Sequence, residues 1–277
     1  MVQADRRGPL MSGLDAMFAG CREEGRSALV GYLPAGYPTV DDSARLLRAV
    51  IDAGADLVEV GLPYSDPVLD GPTIQAAAET ALRAGTRIRD VFSVVERVSA
   101  AGGRAVVMTY YNPVFRYGVD AFARDLAAAG GLGLITPDLI PDEAEDWLAA
   151  SERYGLDRIF LVAPSSTEER IARTSAAGSG FLYAASVMGV TGARDAVGPA
   201  AADLVARCRP HTDLPIGVGL GVRSGEQAAQ VAGFADAVIV GSALVSAATQ
   251  GETELRGLTA ELADGIRKAA SDTPQPV

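Results

Sequence analysis

The sequence predicts an α/β fold, a single (β/α)8 or TIM barrel with one extra helix before the first strand. Eight short apolar runs recur at fairly regular spacing, and a helical pattern follows each of them. Apolar runs without polar alternation are typical of parallel strands that are buried on both faces. Eight strand–helix units in about 250 residues are what a barrel of this kind requires.

The apolar runs are the predicted strands. They cover residues 28–33, 56–60, 105–110, 131–136, 158–163, 180–186, 215–220 and 237–241. The competing architecture is an open doubly wound sheet, which needs a glycine-rich fingerprint after an early strand. The first strand instead continues as GYLPAGYP, without the G-x-G-x-x-G spacing. A barrel is therefore favoured.

Helix signals separate the strands. Pro72 stands where a first helical turn tolerates proline, and Gly85 marks the end of that helix. Ser224 and Gln227 have capping-box spacing. An opening helix at 14–24 precedes the first strand and is expected to close the bottom of the barrel. No linker divides the chain, so we expect one domain over 1–277, with loose ends at about 1–10 and 271–277.

Composition excludes several classes of function. The formal charge of −11 argues against nucleic acid or an anionic membrane as the main partner. The sequence has no run of about 18 apolar residues and no secretory h-region at its start, so we expect neither a membrane span nor export. Two distant cysteines, Cys21 and Cys208, fit a reduced, cytoplasmic setting.

Two scarce residue types restrict the chemistry. Lys268 is the one lysine and falls in the predicted last surface helix, which argues against a Schiff-base enzyme. His211 is the one histidine, and beside two prolines it is interpreted as a solvated loop residue. A catalytic zinc usually needs several histidines or cysteines close together, so no metal site is expected. Carboxylates, tyrosines and backbone amides remain as the catalytic groups.

The second strand carries a glutamate towards the barrel mouth. Alternation places Leu57 and Glu59 on one face and Val58 and Val60 on the other, and the valines suit the helix-facing side. Partial desolvation raises the pKa of a carboxyl group and makes it a better proton carrier near neutrality. The alternative is a structural glutamate paired with an arginine.

A proline-braced loop with two aspartates follows this strand. Asp70 is either an acid held over a pocket or a turn and cap residue before the helix at Pro72. Asp66, in Ser-Asp-Pro, is interpreted as a turn former. The later strands contribute Tyr183, a glycine-rich stretch at 188–198 that is either a lid or a plain surface loop, and glycine turns. Paired glycines after strands seven and eight, at helix starts, are typical of a phosphate site.

These motifs resemble a known family. The stretch DLVEVGLPYSDPVLDGPTIQ closely resembles the signature of the tryptophan synthase alpha chain, and YAASVMGVTGAR, GVGLGVRSGEQ and IVGSALV resemble its later motifs in the same order. The resemblance covers about residues 14–267. It implies an acid–base retro-aldol cleavage of indole-3-glycerol phosphate to indole and glyceraldehyde 3-phosphate. Catalytic roles then fall to Glu59, which transfers protons at indole C3 and the side-chain hydroxyl, to Asp70, which bonds the indole N–H, and to Tyr183.

The resemblance also implies the residues that bind substrate. The phosphate positions are Gly192, Gly221, Gly241 and Ser242, the indole pocket is lined by Tyr32, Tyr110 and Leu220, and the lid threonine that meets the second acid is Thr191. Asp138 falls near an aspartate that supports the site. The chain departs from the family at Val187, where a lid arginine is frequent, at Tyr32, where phenylalanine is frequent, and in PDLIPDEA around Asp138.

The implied partner is a tryptophan synthase beta subunit in an α2β2 assembly. That subunit holds pyridoxal phosphate, and no cofactor is expected in this chain. Two alternatives stay open: another phosphate-binding barrel of aromatic amino-acid biosynthesis, and a chain whose chief role is to activate its partner.

Overall fold

A computed structural model describes residues 12–185, 199–219 and 221–272, with the backbone alone at 271 and 272. The described residues form a closed barrel in which each parallel strand pairs with the next and the eighth pairs with the first. The strands are β1 Ala28–Pro34, β2 Leu57–Gly61, β3 Ala105–Met108, β4 Gly133–Thr136, β5 Asp157–Val162, β6 Leu182–Ala185, β7 Ile216–Gly219 and β8 Ala237–Val240. The predicted fold class is confirmed.

Helices surround the barrel. They are α1 Gly13–Glu23, α2 Val40–Asp52, α3 Pro72–Arg83, α4 Ile88–Ala100, α5 Tyr111–Tyr117, α6 Val119–Ala128, α7 Glu145–Tyr154, α8 Glu168–Ala177, α9 Pro199–Cys208, α10 Gly225–Ala232, α11 Ser242–Gln250 and α12 Glu252–Asp272, with short 3-10 turns at Pro141–Glu143 and Arg209–His211. None of the helices in the described ranges is both long and apolar enough to span a membrane. The predicted loose ends lie outside the described residues, except that 271 and 272 still belong to α12.

The predicted strand ends lie within two residues of the observed ones, and two of the shifts have a clear local cause. The third strand ends at Met108 rather than at residue 110, because Tyr110 is already the N-cap of α5. The sixth strand begins at Leu182 rather than at residue 180, since Gly180 has a left-handed φ of 75° that a strand does not accept. Both shifts affect only the strand ends and leave the register of the barrel intact.

The barrel alternates its side chains as the sequence predicts. On β2, Leu57 packs in the cluster inside the barrel, whereas Val58 and Val60 pack in the larger cluster between strands and helices. Glu59 therefore points inward, on the same face as Leu57. The inner cluster closes one end of the barrel, and the mouth that contains Glu59 lies at the other end.

Helix α1 closes the bottom of the barrel, as predicted. Ser12 and Asp15 cap its start reciprocally. Its buried residues Met17 and Phe18 join the inner cluster, where the Phe18 ring lies 5.8 Å from the ring of Phe181 at the entrance to β6. The helix therefore replaces water at the lower opening of the barrel with apolar contacts.

Removal of this contact is expected to destabilise the fold. Phe18 is 3% exposed. Replacing a buried phenylalanine with alanine loses apolar burial and leaves a cavity, which typically costs about 3–5 kcal/mol. Phe18→Ala should therefore lower the midpoint of chemical denaturation strongly. The matched control is Phe115→Ala, because Phe115 is 63% exposed and its removal should change stability little. Equal losses in the two variants would contradict the closing role of α1.

Candidate active site

Glu59 is a buried acid at the barrel mouth. The residue is 1% exposed and lies opposite Tyr32 of β1 and Val106 of β3. Its Oε1 has no hydrogen-bond partner in the described part of the chain. Burial raises the pKa of Glu59 from 4.5 to about 8, because the charged form loses its hydration. Glu59 therefore carries a proton at neutral pH.

The structural alternative for Glu59 was an ion pair with arginine. Among the described residues no arginine pairs with it, and burial is the cause of its raised pKa. A buried carboxyl group without a counter-charge lowers stability, so its presence needs a reason other than folding. The geometry agrees with a proton carrier.

Asp70 is not the cap of the following helix. Helix α3 has Gly71 as its N-cap and no side-chain cap. The backbone of Asp70 is held instead by Gln75, whose Nε2 donates to the Asp70 carbonyl at 2.8 Å. Its carboxylate is hydrogen-bonded to the Tyr110 hydroxyl, which partly offsets the effect of burial, and the net pKa of Asp70 is raised.

Tyr110 fastens the proline-braced loop to the end of β3. Its hydroxyl oxygen accepts the N–H groups of Val68 and Leu69 at 3.2 and 3.0 Å. The same hydroxyl is hydrogen-bonded to the carboxylate of Asp70. One buried phenol therefore determines where the second acid lies.

Asp138 supports this arrangement from the next loop. Its carboxylate accepts the N–H of Tyr111 at 2.9 and 3.2 Å from its two oxygens, at the first residue of α5. The N-terminus of a helix favours negative charge. Asp138 thus anchors the helix start that carries Tyr110, although the sequence pattern around it is irregular.

Two further tyrosines, Tyr32 and Tyr183, feel the charges of both acids. Burial raises the pKa of Tyr32 and of Tyr183 well above 10, and the charges of Glu59 and Asp70 raise both further. Since these electrostatic effects weaken with distance, the two phenols and the two carboxyl groups share one mouth. That the two acids act together on one substrate stays a prediction.

Glycines in the neighbouring strands make room for these phenols. A Cβ on Gly61 of β2 would lie 2.5 Å from Cζ of Tyr32, and a Cβ on Gly219 of β7 would lie 2.5 Å from the Tyr183 hydroxyl. Any side chain would displace the rings. Sequence reasoning missed Gly61 and interpreted the glycines around the end of strand seven only as part of a phosphate site. The available signal was a glycine two residues after an inward-facing strand residue, on the same face.

Three of the predicted phosphate residues, Gly221, Gly241 and Ser242, follow the ends of β7 and β8. Gly221 has a φ of 68°, which favours glycine. Helix α11 begins at Ser242 with Gly241 as its N-cap and without a side-chain cap. Gly241 also borders the site, since a Cβ there would meet Tyr32 and Ile74 at 3.6–3.7 Å. An open helix start of this kind suits an anion.

Four predicted positions cannot be placed in the structure. Val187, Thr191, Gly192 and Leu220 lie outside the described residues. Of the remaining candidates, Lys268 is exposed on α12, and Nε2 of His211 lies 2.9 Å from the carboxylate of Glu168. In the described ranges no group of three or more histidine, cysteine or acidic side chains is arranged to hold a metal ion.

Comparison with known proteins identifies the family. The family model described as "Tryptophan synthase alpha chain" matches residues 18–271. A tryptophan synthase alpha chain from Mycobacterium marinum is 65% identical over 269 residues, which are 97% of each chain. One from Nocardia farcinica is 66% identical over 258 residues, 93% of this chain and 97% of the relative.

Solved structures agree with the sequence comparison. A structure of Mycobacterium tuberculosis tryptophan synthase has a TM-score of 0.90 and 64% identity, over 93% of this chain and 99% of that one. The tryptophan synthase subunit alpha from Legionella pneumophila has a TM-score of 0.85 at 30% identity, over 94% of this chain and 100% of that one. This chain belongs to the tryptophan synthase alpha chain family.

Proposed function

We propose that Glu59 and Asp70 are the acid–base pair with which this chain performs the alpha reaction of its family. That lyase reaction cleaves indole-3-glycerol phosphate to indole and glyceraldehyde 3-phosphate. The observation that carries the assignment is a carboxyl group 1% exposed at the barrel mouth, with its pKa raised to about 8. An acid with a pKa near the working pH both gives and accepts a proton efficiently.

The chemistry balances with these two groups. Glu59 gives its proton to C3 of the indole ring, and the positive charge that develops at the ring nitrogen is stabilised by the carboxylate of Asp70. The Glu59 carboxylate then takes the proton of the hydroxyl next to C3. The carbon–carbon bond breaks, its electron pair restores the aromatic ring, and the hydroxyl carbon becomes the aldehyde. Glu59 ends the cycle protonated again.

Substrate binding is proposed to use both ends of the mouth. Tyr32, Tyr110 and Tyr183 surround the acids, whereas the turn after β7 and the start of α11 supply N–H groups at Gly221, Gly241 and Ser242 for the phosphate. From the sequence alone, Gly192 is proposed as a further phosphate position, Leu220 as part of the indole pocket and Thr191 as the lid residue that meets Asp70. The reaction as written needs no cofactor in this chain.

The partner is proposed to dock on the face that surrounds the mouth. Among the described residues, three large apolar side chains are exposed, and they follow β2, β3 and β4: Val68 at 70%, Phe115 at 63% and Ile140 at 37%. The strands' carboxyl ends share one face of a barrel. Exposed apolar side chains grouped on one face are typical of a protein interface.

The proposed occupant of this face is a tryptophan synthase beta subunit with pyridoxal phosphate, in an α2β2 assembly. One similar solved structure is of Mycobacterium tuberculosis tryptophan synthase in an "aminoacrylate-bound form". Val68 reaches the site through its N–H bond to Tyr110, which also bonds Asp70. Docking can therefore change the position of the second acid. We also propose a cytoplasmic location, which the two free, buried cysteines support.

Glu59→Gln is expected to lower the cleavage rate by about two to four powers of ten, because it keeps the shape and removes the proton carrier. The same substitution should raise the stability of the fold at high pH, although it lowers the cleavage rate. The raised pKa means that the contribution of Glu59 to stability is complete below pH 4.5 and is lost as pH rises through about 8. The variant should therefore melt above wild type at about pH 9 and close to it at about pH 4. Near-wild-type cleavage by this variant would refute the assignment.

Asp70→Asn is expected to reduce turnover by about a hundredfold while phosphate binding is kept, since the carboxylate no longer stabilises the charged ring. The measurements are steady-state kinetics and inhibition by glycerol phosphate. Asp66→Asn is the matched control, because Asp66 lies in the same loop and its carboxylate accepts the Ser65 hydroxyl in an exposed turn. Equal effects of the two substitutions, or loss of the fold in Asp70→Asn, would contradict the catalytic role.

Docking is tested with Phe115→Ser and Ile140→Ser combined. The loss of two exposed apolar contacts should raise the concentration of beta subunit needed for half-maximal activation by tenfold or more. Cleavage by the isolated variant should stay at the wild-type level. An unchanged titration curve would place the interface elsewhere, and a beta subunit that changes the rate of neither protein would contradict the activating partner.

A further inference from the structure

The side chain of Tyr32 connects the two ends of the proposed site. The Cβ end of the side chain borders Gly241 after β8, where an added Cβ would meet the Tyr32 Cβ and Cδ1 at 3.7 Å. Its phenol end lies over Gly61 of β2, inside contact distance of any Cβ built there. The ring therefore crosses the end of β1 and brings its hydroxyl to the strand that carries Glu59.

The hydroxyl lies over Gly61, two residues beyond Glu59 on that strand. Residues 59 and 61 are two apart on β2, so their side-chain directions point to the same face of the sheet. In the register, Tyr32 is opposite Glu59, and Pro34 is opposite Gly61. The Tyr32 hydroxyl therefore fills the space left by the missing side chain of Gly61, on the face of β2 from which Glu59 projects.

The hydroxyl has the character of a hydrogen-bond donor. Burial, then the charges of Asp70 and Glu59, raise the pKa of Tyr32 well above 10, so the phenol keeps its proton. Oε1 of Glu59 is buried and has no partner in the described ranges. In this structure Oε1 therefore accepts no bond from Tyr32, and a protonated donor on the same side of β2 is available to an oxygen that has no partner.

The other titratable groups around Glu59 have different positions. Tyr110, at the end of β3, bonds the loop after β2 and Asp70. Asp70 is on that loop and has only acceptor oxygens when it is ionised. Tyr183 approaches from β6, where its hydroxyl lies against Gly219 of β7. Tyr32 belongs to β1, which lies between β2, the strand of Glu59, and β8, the strand that precedes Gly241.

Building on the proposed function, we propose that Tyr32 is a positioning residue for Glu59. Its hydroxyl donates a hydrogen bond to the carboxylate that Glu59 becomes after it has given its proton to indole C3. This bond stabilises the carboxylate and keeps it in place to accept the proton of the substrate's side-chain hydroxyl. A phenylalanine would supply the same ring without the bond.

The test is Tyr32→Phe, with Tyr154→Phe as the control for loss of a phenol hydroxyl. Tyr154 bonds Asp120 at 3.0 Å on the surface, away from the mouth. Tyr32→Phe should lower kcat about tenfold and change KM less than about twofold, because a bond to a charged group is lost after binding. The ionisation of Glu59 seen in the pH profile of kcat/KM should move up by about one unit, since its carboxylate loses a donor. Tyr154→Phe should match wild type.

The outcomes separate this inference from the proposed function. A Tyr32→Phe enzyme with wild-type kcat and pH profile, beside an inactive Glu59→Gln enzyme, overturns the inference and leaves the lyase assignment standing. A raised KM with unchanged kcat also overturns it, because Tyr32 would then act on substrate binding. Activity retained by Glu59→Gln overturns the proposed function itself.

Discussion

The site depends on the removal of one carboxyl group from water. Glu59 is 1% exposed and has no counter-charge among the described residues, so burial alone keeps its proton at neutral pH. The same burial makes the ionised form costly to the fold. A residue that reduces stability at the pH at which the protein works is typical of an active site, where function and stability oppose each other.

The rest of the mouth is arranged around that acid by backbone register and by hydrogen bonds. Tyr32 and Tyr183 each lie over a glycine of the next strand, which brings two phenols to the mouth without enlarging it. On the other side, Asp138 holds the start of α5, α5 carries Tyr110 at its cap, and Tyr110 holds Asp70. The second acid is thus positioned by three successive βα loops.

This dependence on loops explains how a partner can act on the chemistry. Val68 is 70% exposed, yet its N–H bonds the phenol that also bonds Asp70. Loops are the least restrained parts of a barrel, and binding residues on them are sensitive to contacts at the surface. Glu59, on a strand buried on both faces, is the rigid partner of the pair, and Asp70 is the adjustable one.

The sequence by itself determined the barrel, the inward direction of Glu59 and the absence of a usable lysine. These follow from periodicity and composition, which depend on near neighbours in the chain. The tertiary structure decided the rest. Whether Asp70 caps a helix or faces the mouth depends on Tyr110, 40 residues away. Strand β3 ends at Met108, two residues before the predicted end, because α5 begins at Tyr111, whose N–H donates to Asp138. Gly61 matters because a ring from another strand occupies its space, and the sequence around Gly61 does not say which ring that is.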